Sequence, residues 1–263
     1  MPLFDDIDTI SARIKGSKGV LLFLDFDGTL APIAASPREA SLPEKTRLLL
    51  EKLKAVLSIV IVSGRSLSDI RERVGLTGLS YAGNHGLEWA IEDAEGHMRI
   101  EESHVERIRE VSAVLKPLLA SYEGALIEEK GYTVALHFRM VDAARRDALL
   151  YEAGEALLPI RERGGITVTH GKMLIEVRPD VPWHKGAFIR MAIDRLSRGK
   201  NVLSIFIGDD ETDEDAFRTL PEAITVRVGD IQESAARYSI EPRDRVDEFL
   251  EWLLGEISEG VRT

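Results

Sequence analysis

The sequence predicts an α/β fold in which a doubly wound parallel sheet is interrupted by an inserted α+β segment. Two observations carry this prediction. Short apolar runs alternate with longer helical patterns over 20–83 and again from about 184 onward, which is typical of a parallel sheet with helices on its faces. Between these stretches the pattern changes to a helix followed by a hairpin, twice in succession.

The core elements follow one another in a regular order. In the first stretch we expect strands and helices as follows: VLLFLDF at 20–26, a helix at about 43–55, LSIVIVS at 57–63, a helix at about 66–74 and YAG at 81–83. In the second stretch we expect a helix at about 184–197, VLSIFIG at 202–208, a short helix, AITVRV at 223–228 and a closing helix near 243–254.

The middle of the chain follows a different pattern. GLEWAIEDAEGHMRIEE predicts a hairpin at the edge of the core or at the joint to the insert. Beyond it we expect a helix in SHVERIREVSAVLKPLLA, a hairpin turning at Lys130 and Gly131, a helix in DAARRDALLYEAGEALL and a hairpin turning near Gly171. We therefore assign residues 1–100 and 181–263 to one Rossmann-like core, and residues 101–180 to an inserted αββαββ domain.

The composition indicates a globular protein and argues against several function classes. With 263 residues, of which 44% are hydrophobic, the chain can bury a substantial core. A formal net charge of -11 offers no footprint for nucleic acid or an anionic membrane, and the absence of cysteine excludes disulfides and thiol nucleophiles. No apolar run has membrane-spanning length and the acidic N-terminal segment does not resemble a signal peptide, so we expect a cytoplasmic protein, and we infer no obligate protein partner.

Two aspartates come directly after the first predicted strand. Asp25 and Asp27 lie where open α/β sheets bind ligands, at the carboxyl end of a strand. Because two carboxylates this close repel each other, they favour a bound cation or a shared proton. The alternative is that one aspartate only caps a turn through its side chain.

A second acidic cluster follows the strand at 202–208. The sequence GDDETDED places Asp209, Asp210 and Asp213 at the same sheet edge if the strands are parallel. Carboxylate oxygens at one edge are suitable ligands for Mg²⁺, which completes its octahedron with water and phosphate oxygens. The alternative is an acidic first turn that is stabilised by the dipole of the following helix.

A hydroxyl and a lysine complete the set of candidate residues. Ser63 ends the second strand and, with the amide of Gly64, could hold an anion. Lys185 begins a helix, where a cation is unfavourable relative to the dipole; taken alone, it can be read as a solvated lysine. Together, the acidic clusters, the hydroxyl and the lysine indicate a phosphoryl-transfer site.

The motifs DFDGT, VSGR, HKG and GDDETDED, in this order, resemble the four motifs of the haloacid dehalogenase-like phosphohydrolases. The resemblance implies that Asp25 is the nucleophile that becomes an aspartyl phosphate. It implies that Asp27 is first the general acid for the leaving oxygen and then the base for the hydrolytic water. Ser63 and Lys185 are implied to hold the phosphoryl oxygens.

The same resemblance implies a Mg²⁺ cofactor. Its ligands would be the Asp25 carboxylate, the Asp27 backbone carbonyl and Asp209, with Asp213 and Asp210 in support. The chemistry of phosphoryl transfer is consistent with these implied roles. A covalent intermediate splits one difficult step into two, and the metal and lysine neutralise charge on the phosphoryl oxygens.

The insert resembles the cap of the sugar-phosphatase branch of this family. AGNHGLEW, EEKGYTVALHFR and GKMLIEVRP, together with the core motifs, resemble the trehalose-6-phosphate phosphatases over nearly the whole chain. Strand alternation in the cap places Val134, Leu136 and Phe138 on one face, with Met173, Ile175 and Val177 on the matching face of the later hairpin.

Polar residues on the other face of the cap sheet are the candidates for recognising a sugar. With the resemblance, we expect six of them to bind substrate: Glu128, Lys130, His137, Arg139, Lys172 and Glu176. The alternative is that this face is solvated sheet surface only, which is common in antiparallel sheets. In the core, Asn84 and His85 are further candidate sugar contacts, although a turn asparagine and a packed histidine are the alternatives. Arg65 could reach the substrate or pair with an acidic residue.

We therefore expect a Mg²⁺-dependent phosphatase that hydrolyses the small-molecule sugar phosphate trehalose 6-phosphate, with the cap controlling access to the site. A close alternative is a phosphatase or mutase for another sugar phosphate, of sucrose or mannosyl type. A different class, a phosphoaspartyl signalling domain, also uses an acidic pair, a hydroxyl and a lysine, but the chain is much longer than such a domain needs.

Overall fold

A computed structural model describes residues 1–230 and 232–260, with the side chains of 259 and 260 left out. The chain divides into two compact units. The first comprises Met1–Ile33, Ala40–His97 and the chain from Trp183 onward; the second comprises Ala34–Glu39 and Met98–Pro182. The short segment 34–39 thus groups with the second unit, although we had assigned it to the core. It contains only a 3-10 turn at Pro37–Glu39, so no periodic pattern indicated its unit.

The first unit is built on an eight-stranded sheet. In chain order its strands are β1 (Val20–Leu24), β2 (Ser58–Val62), β3 (Ser80–Gly83), β4 (Glu88–Ile91), β5 (Ala94–His97), β10 (Leu203–Gly208), β11 (Ile224–Val228) and β12 (Tyr238–Ile240). The spatial order is β12-β11-β10-β1-β2-β3-β4-β5. The six strands from β12 to β3 are parallel, and the hairpin β4–β5 continues the sheet antiparallel at its edge.

Helices cover this sheet. They are α1 (Ile7–Lys15), α2 (Glu44–Leu53), α3 (Leu67–Val74), α7 (Lys185–Ser197), α8 (Glu211–Thr219) and α9 (Arg245–Gly260). The central strand β1 is fully buried, and Phe23 packs in one apolar cluster with Val60, Phe188 and Phe206. Two elements, α1 and β12, were not predicted. β12 has only three residues, too few for a two-residue period to be read.

The second unit contains a four-stranded antiparallel sheet and three helices. Its elements are α4 (Glu102–Leu115), α5 (Leu118–Ser121), β6 (Leu126–Glu129), β7 (Val134–His137), α6 (Ala143–Glu162), β8 (Ile166–Gly171) and β9 (Leu174–Pro179), with strand order β6-β7-β9-β8. The helix expected over SHVERIREVSAVLKPLLA is divided at Pro117, because proline lacks an N–H and its ring clashes with the preceding turn.

The apolar face of the second sheet was predicted correctly except at one residue. Leu136, Ile175 and Val177 are buried and pack in one cluster with Ile108 and Leu149 of the helices. Met173, which we expected on this face, is 39% exposed because it lies in the turn before β9 with φ of 67°. The α/β fold class, with a parallel core and an inserted α+β segment, is confirmed.

Within 1–230 and 232–260, no helix combines the length and apolar content that crossing a bilayer requires.

Candidate active site

The strand ends of the first sheet bring the two acidic clusters together. β1 lies between β10 and β2 with parallel register, so that Leu24 is paired with Ile207 on one side and Ile61 on the other. The residues that follow these strands therefore lie at the carboxyl edge of the sheet. There the Asp25 N–H donates to the Ile207 carbonyl at 2.9 Å. This topology explains why residues as distant in the chain as Asp25 and Asp209 form one site.

Three buried carboxylates form the centre of the site. Asp25, Asp209 and Asp213 each place one oxygen within 4.8 Å of the others. Asp213 Oδ2 accepts the backbone N–H groups of Asp209 at 2.9 Å and Asp210 at 3.0 Å, which turns this side chain of α8 back toward the strand end.

Two glycines make room for these carboxylates. A Cβ on Gly208 would lie 2.3 Å from Asp213 Cγ, and a Cβ on Gly28 would lie 2.1 Å from Asp209 Oδ2. Gly28 also has φ of 90°, a conformation that other residues rarely adopt. The two positions are therefore restricted to glycine by the close approach of the acidic side chains.

Lys185 joins the acidic cluster from the first turn of α7. Its Nζ donates to Asp25 Oδ1 at 2.7 Å and to Asp213 Oδ1 at 2.8 Å, and its side chain is 1% exposed. The alternative of a solvated lysine is excluded by this burial. Burial alone would lower the pKa of Lys185, but the carboxylates of Asp213 and Asp25 raise it well above its ordinary value.

The carboxyl groups of the cluster are suited to hold a cation. Three carboxyl groups lie within 4.8 Å of one another, and Lys185 pairs with two of them, Asp25 and Asp213. Burial raises the pKa of Asp25 to about 8 against the opposing effect of Lys185, and burial also raises the pKa of Asp213 well above its usual range. Buried carboxylate oxygens that converge in this way are a suitable donor set for a hard divalent cation.

Asp27 is held outside this cluster by Arg65. Arg65 Nε and Nη2 each donate to one oxygen of the Asp27 carboxylate at 2.7 Å, a two-pronged ion pair. Arg65 Nη1 also donates to Asp69 at 2.8 Å, and the arginine side chain is 6% exposed. Of the two possibilities that the sequence left open for Arg65, pairing with an acidic residue is the one seen here.

Asp69 is a residue that the sequence analysis missed. It accepts hydrogen bonds from Arg65 and from Arg73, and its N–H is capped by Ser66 at the start of α3. The run Ser66-Leu67-Ser68-Asp69 is typical of a helix start, which agrees with the helix expected from about 66. The spacing of four residues between Arg65 and Asp69 is a second local signal, because side chains at i and i+4 can reach each other along a helix.

Ser63, Asn84 and His85 lie at the ends of β2 and β3. The buried Ser63 hydroxyl accepts the Arg65 N–H at 3.2 Å, and the Ser63 carbonyl accepts the His85 N–H at 2.9 Å. Asn84 and His85 have φ of 48° and 57°, an uncommon pair of consecutive left-handed residues. Asn84 donates its side-chain amide to Glu88 at 2.7 Å.

The His85 ring packs on Gly64. A Cβ at position 64 would lie 2.6 Å from His85 Cε1, so the ring lies directly against Gly64, the residue after Ser63. His85 is 6% exposed. Its backbone strain and burial are typical of residues that are held in place at functional sites.

Asp210 caps α8. Its Oδ1 accepts the backbone N–H groups of Thr212 at 2.9 Å and Asp213 at 3.2 Å, and the Asp213 side chain completes a capping box. Lys185 Nζ lies 4.0 Å from Asp210 Oδ1. The alternative that the acidic run only stabilises the first turn of a helix thus describes Asp210. Asp209 and Asp213 belong to the group of three carboxylates.

The six candidate sugar contacts belong to the second unit and form three interactions. Lys130 Nζ donates to Glu176 at 2.7 Å, with side-chain exposures of only 8% and 5%. His137 Nε2 and Glu128 are 2.8 Å apart, and Arg139 donates to the Lys172 carbonyl at 2.9 Å. The alternative of a purely solvated polar face does not hold at Lys130 and Glu176, nor at the fully buried Thr133.

Comparisons with known proteins identify the family of this chain. A family model described as trehalose-phosphatase matches residues 23–243. The trehalose-phosphate phosphatase of Mycobacterium marinum is 36% identical over 249 residues, covering 90% of this chain and 62% of that protein. The chain therefore spans less than two thirds of the length of this curated relative.

Two solved structures share the fold. The C-terminal domain of the C. albicans trehalose-6-phosphate phosphatase has a TM-score of 0.82 and 23% identity, covering 94% of this chain and 96% of that chain. A trehalose-6-phosphate phosphatase related protein has a TM-score of 0.76 and 27% identity, and the match covers 92% of this chain and 99% of that chain. The resemblance recognised in the motifs is confirmed, and the chain belongs to the trehalose-phosphatase family.

Proposed function

We propose that this protein is a Mg²⁺-dependent phosphatase that hydrolyses trehalose 6-phosphate to trehalose and phosphate through an aspartyl-phosphate intermediate. The observation that carries the proposal is the buried cluster of Asp25, Asp209 and Asp213 with Lys185, at the strand edge where the family motifs lie. The names of the relatives support the choice of sugar phosphate. The cytoplasmic location expected from the sequence stays a prediction.

The cation would be held by three carboxylates, those of Asp25, Asp209 and Asp213, with the Asp27 backbone carbonyl that the resemblance implies. When bound, Mg²⁺ supplies positive charge that neutralises the phosphoryl oxygens. The donor set fits this ion, because it consists of oxygens only. Asp210 is committed to capping α8, so we propose that it supports the site through the helix start.

The first chemical step uses Asp25 and Asp27. A carboxylate oxygen of Asp25 forms a bond to phosphorus while the bond from phosphorus to the sugar oxygen breaks. As substrate binds, one Asp27 oxygen leaves the ion pair with Arg65 and takes up a proton. The Asp27 carboxyl then donates this proton to the leaving oxygen, because an alkoxide is a poor leaving group. In the second step Asp27, now ionised, accepts a proton from water as the water oxygen attacks phosphorus and releases Asp25.

Lys185 and Ser63 have electrostatic roles in both steps. The Lys185 ammonium is already oriented by two carboxylates, so it can face a phosphoryl oxygen without first being dehydrated. The Ser63 hydroxyl is buried beside Gly64, where it can donate to a second oxygen. His85 packs over this glycine, and we propose that it keeps the anion site closed to water.

Phosphate release from a panel of substrates tests the proposal. Trehalose 6-phosphate, sucrose 6-phosphate, glucose 6-phosphate, mannose phosphates and an aryl phosphate would be compared with Mg²⁺ and with EDTA. We expect strong preference for trehalose 6-phosphate and no release with EDTA. Activity on the aryl phosphate alone would retain the mechanism and refute the substrate. Absence of any metal-dependent release would favour the phosphoaspartyl signalling class.

The Arg65–Asp27 pair makes a prediction about the leaving group. Arg65→Met is expected to lower kcat for trehalose 6-phosphate by about 100-fold, because general acid–base catalysis contributes roughly 10²–10⁴-fold and depends on placement of Asp27. The burst of aryl alcohol from an aryl phosphate should change less, since that leaving group needs no proton. Stopped-flow and steady-state assays measure the two effects.

One control removes a nearby arginine, and the other keeps the charge at position 65. Arg71→Met removes an exposed arginine that pairs with Glu95, and its kcat should equal that of the unmodified protein. Arg65→Lys should recover part of the activity, because lysine keeps the charge without the two-pronged geometry. Equal losses for the aryl and sugar phosphates would show that Arg65 does not act through Asp27.

The buried pair in the second unit makes a prediction about substrate binding. Glu176→Gln is expected to raise KM for trehalose 6-phosphate about tenfold, because a hydrogen bond from a sugar hydroxyl to a charged group contributes about 1.5–3 kcal/mol. The kcat for an aryl phosphate should hardly change. Initial-rate assays on both substrates give the comparison.

Glu110→Gln is the matched control, because Glu110 is an exposed carboxylate of the same unit that pairs with Arg163. Its KM for trehalose 6-phosphate should be unchanged. If Glu176→Gln leaves KM unchanged as well, the Lys130–Glu176 pair is structural, and sugar recognition lies elsewhere.

A further inference from the structure

Arg243 binds the backbone of the turn that carries the catalytic aspartates. We call residues 25–31 the catalytic turn. Arg243 Nε donates to the Thr29 carbonyl at 2.9 Å, and Nη2 donates to the Leu30 carbonyl. The arginine lies two residues before α9 and more than 200 positions from the turn, so no local pattern of the sequence suggests this contact.

The guanidinium is itself held in one orientation. Its Nη1 donates to Asp247 Oδ2 at 3.2 Å, and Nη2 donates to Thr46 Oγ1 at 3.1 Å. Thr46 in turn donates to Asp247 Oδ1 at 2.7 Å. Thr46 and Asp247 are both buried, so α2 and α9 provide a fixed support for Arg243.

The catalytic turn depends on this support because its carbonyls lie in the interior. Thr29 and Leu30 are fully buried, and a buried carbonyl that loses its hydrogen-bond donor is left desolvated without a partner, which is unfavourable. The same turn contacts the acidic cluster. Thr29 Oγ1 is 3.5 Å from Asp209 Oδ1, and Gly28 is packed so closely on Asp209 that a Cβ would collide with its carboxylate.

We propose that Arg243 is a positioning residue for phosphoryl transfer, which holds the catalytic turn so that Asp25 keeps its place beside Asp209 and Asp27 keeps its place against Arg65. The inference rests on the proposed function and adds to it a residue outside the four motifs. A displacement of about 1 Å in a reacting group can reduce the rate about 100-fold, so a small shift of the turn has a large effect.

The test is Arg243→Lys. Lysine keeps a positive charge beside Asp247. Its single nitrogen, however, cannot donate hydrogen bonds to the two carbonyls, to Thr46 and to Asp247 at the same time, as the three nitrogens of the guanidinium do. We expect kcat for trehalose 6-phosphate to fall about 30-fold with KM nearly unchanged. Asp247→Asn should give a smaller loss of kcat in the same direction. A merely structural role would lower the unfolding temperature and leave kcat unchanged well below it.

A second readout does not need turnover. Beryllofluoride with Mg²⁺ mimics the phosphorylated aspartate, and it should raise the unfolding temperature of the unmodified protein more than that of Arg243→Lys. Arg245→Lys is the control, since Arg245 stacks on Phe4 at 4.1 Å and pairs with Glu248 at 3.1 Å; both readouts should match the unmodified protein.

The outcomes separate this inference from the proposed function. If Arg243→Lys keeps full kcat and the full beryllofluoride response, the inference is overturned. If Arg243→Lys does not fold, kcat is measured for Asp247→Asn and Thr46→Val instead. Full kcat in both of these variants overturns the inference. If the unmodified protein hydrolyses no sugar phosphate, the proposed function fails, whereas a beryllofluoride response reduced only by Arg243→Lys still supports the positioning role.

Discussion

Replacing Asp25 with asparagine is expected to reduce phosphate release by a factor on the order of 10⁶, the scale of loss when a covalent nucleophile is removed. An amide oxygen is a weak nucleophile, so no aspartyl phosphate forms. The measurement is steady-state phosphate release from trehalose 6-phosphate, together with acid-quench trapping of labelled phosphoenzyme. Labelled protein should be found only with the carboxylate in place.

The fold of Asp25→Asn should be unimpaired. Asparagine can still accept a hydrogen bond from Lys185, and the change removes a carboxyl group whose ionised form is disfavoured by burial and by the neighbouring Asp209. Without added metal, the variant should therefore unfold at the same temperature as the unmodified protein or higher. Asp93→Asn, in the exposed β4–β5 turn, controls for removal of a carboxylate. Substantial turnover by Asp25→Asn would refute its role as nucleophile.

Replacing Lys185 with methionine is expected to affect both stability and catalysis. The ammonium is buried between Asp25 and Asp213, and removing one partner of a buried ion pair costs about 3–5 kcal/mol. The free energy of unfolding, measured with urea, should fall by about that amount. kcat should fall roughly 10²–10³-fold, because a charge that faces the phosphoryl oxygens is lost.

Added Mg²⁺ distinguishes the electrostatic cause from a packing defect. A bound cation replaces part of the missing positive charge, so Mg²⁺ should stabilise Lys185→Met more than it stabilises the unmodified protein. Lys116→Met removes a lysine with 55% side-chain exposure from an exposed pair with Glu129, and we expect at most about 1 kcal/mol of change there. If Lys185→Met is as stable as the control, the charge argument for the cluster is wrong.

The sequence was sufficient for the fold class and for locating most core strands along the chain, because buried parallel strands are nearly continuous apolar runs. VLLFLDF and VLSIFIG were predicted as strands for this reason, and β1 and β10 lie next to each other in the sheet. Elements with weaker patterns were harder to predict. The three residues of β12 carry no period, and Pro117 ends α4 inside a helical pattern that otherwise continues.

What the sequence determined by itself is which chemical groups come at the strand ends: Asp25 and Asp27 after β1, Ser63 after β2, and the acidic run after β10. Only the tertiary structure decided what each group does. Asp213 turns into the cluster where Gly208 leaves room, while its neighbour Asp210 caps α8. Arg65 pairs with Asp27, and Arg243 supports the catalytic turn from the far end of the chain. The physical reason is that strand ends are specified by local apolar patterns, whereas the partner of a charged side chain depends on burial and on charges that distant segments bring to it.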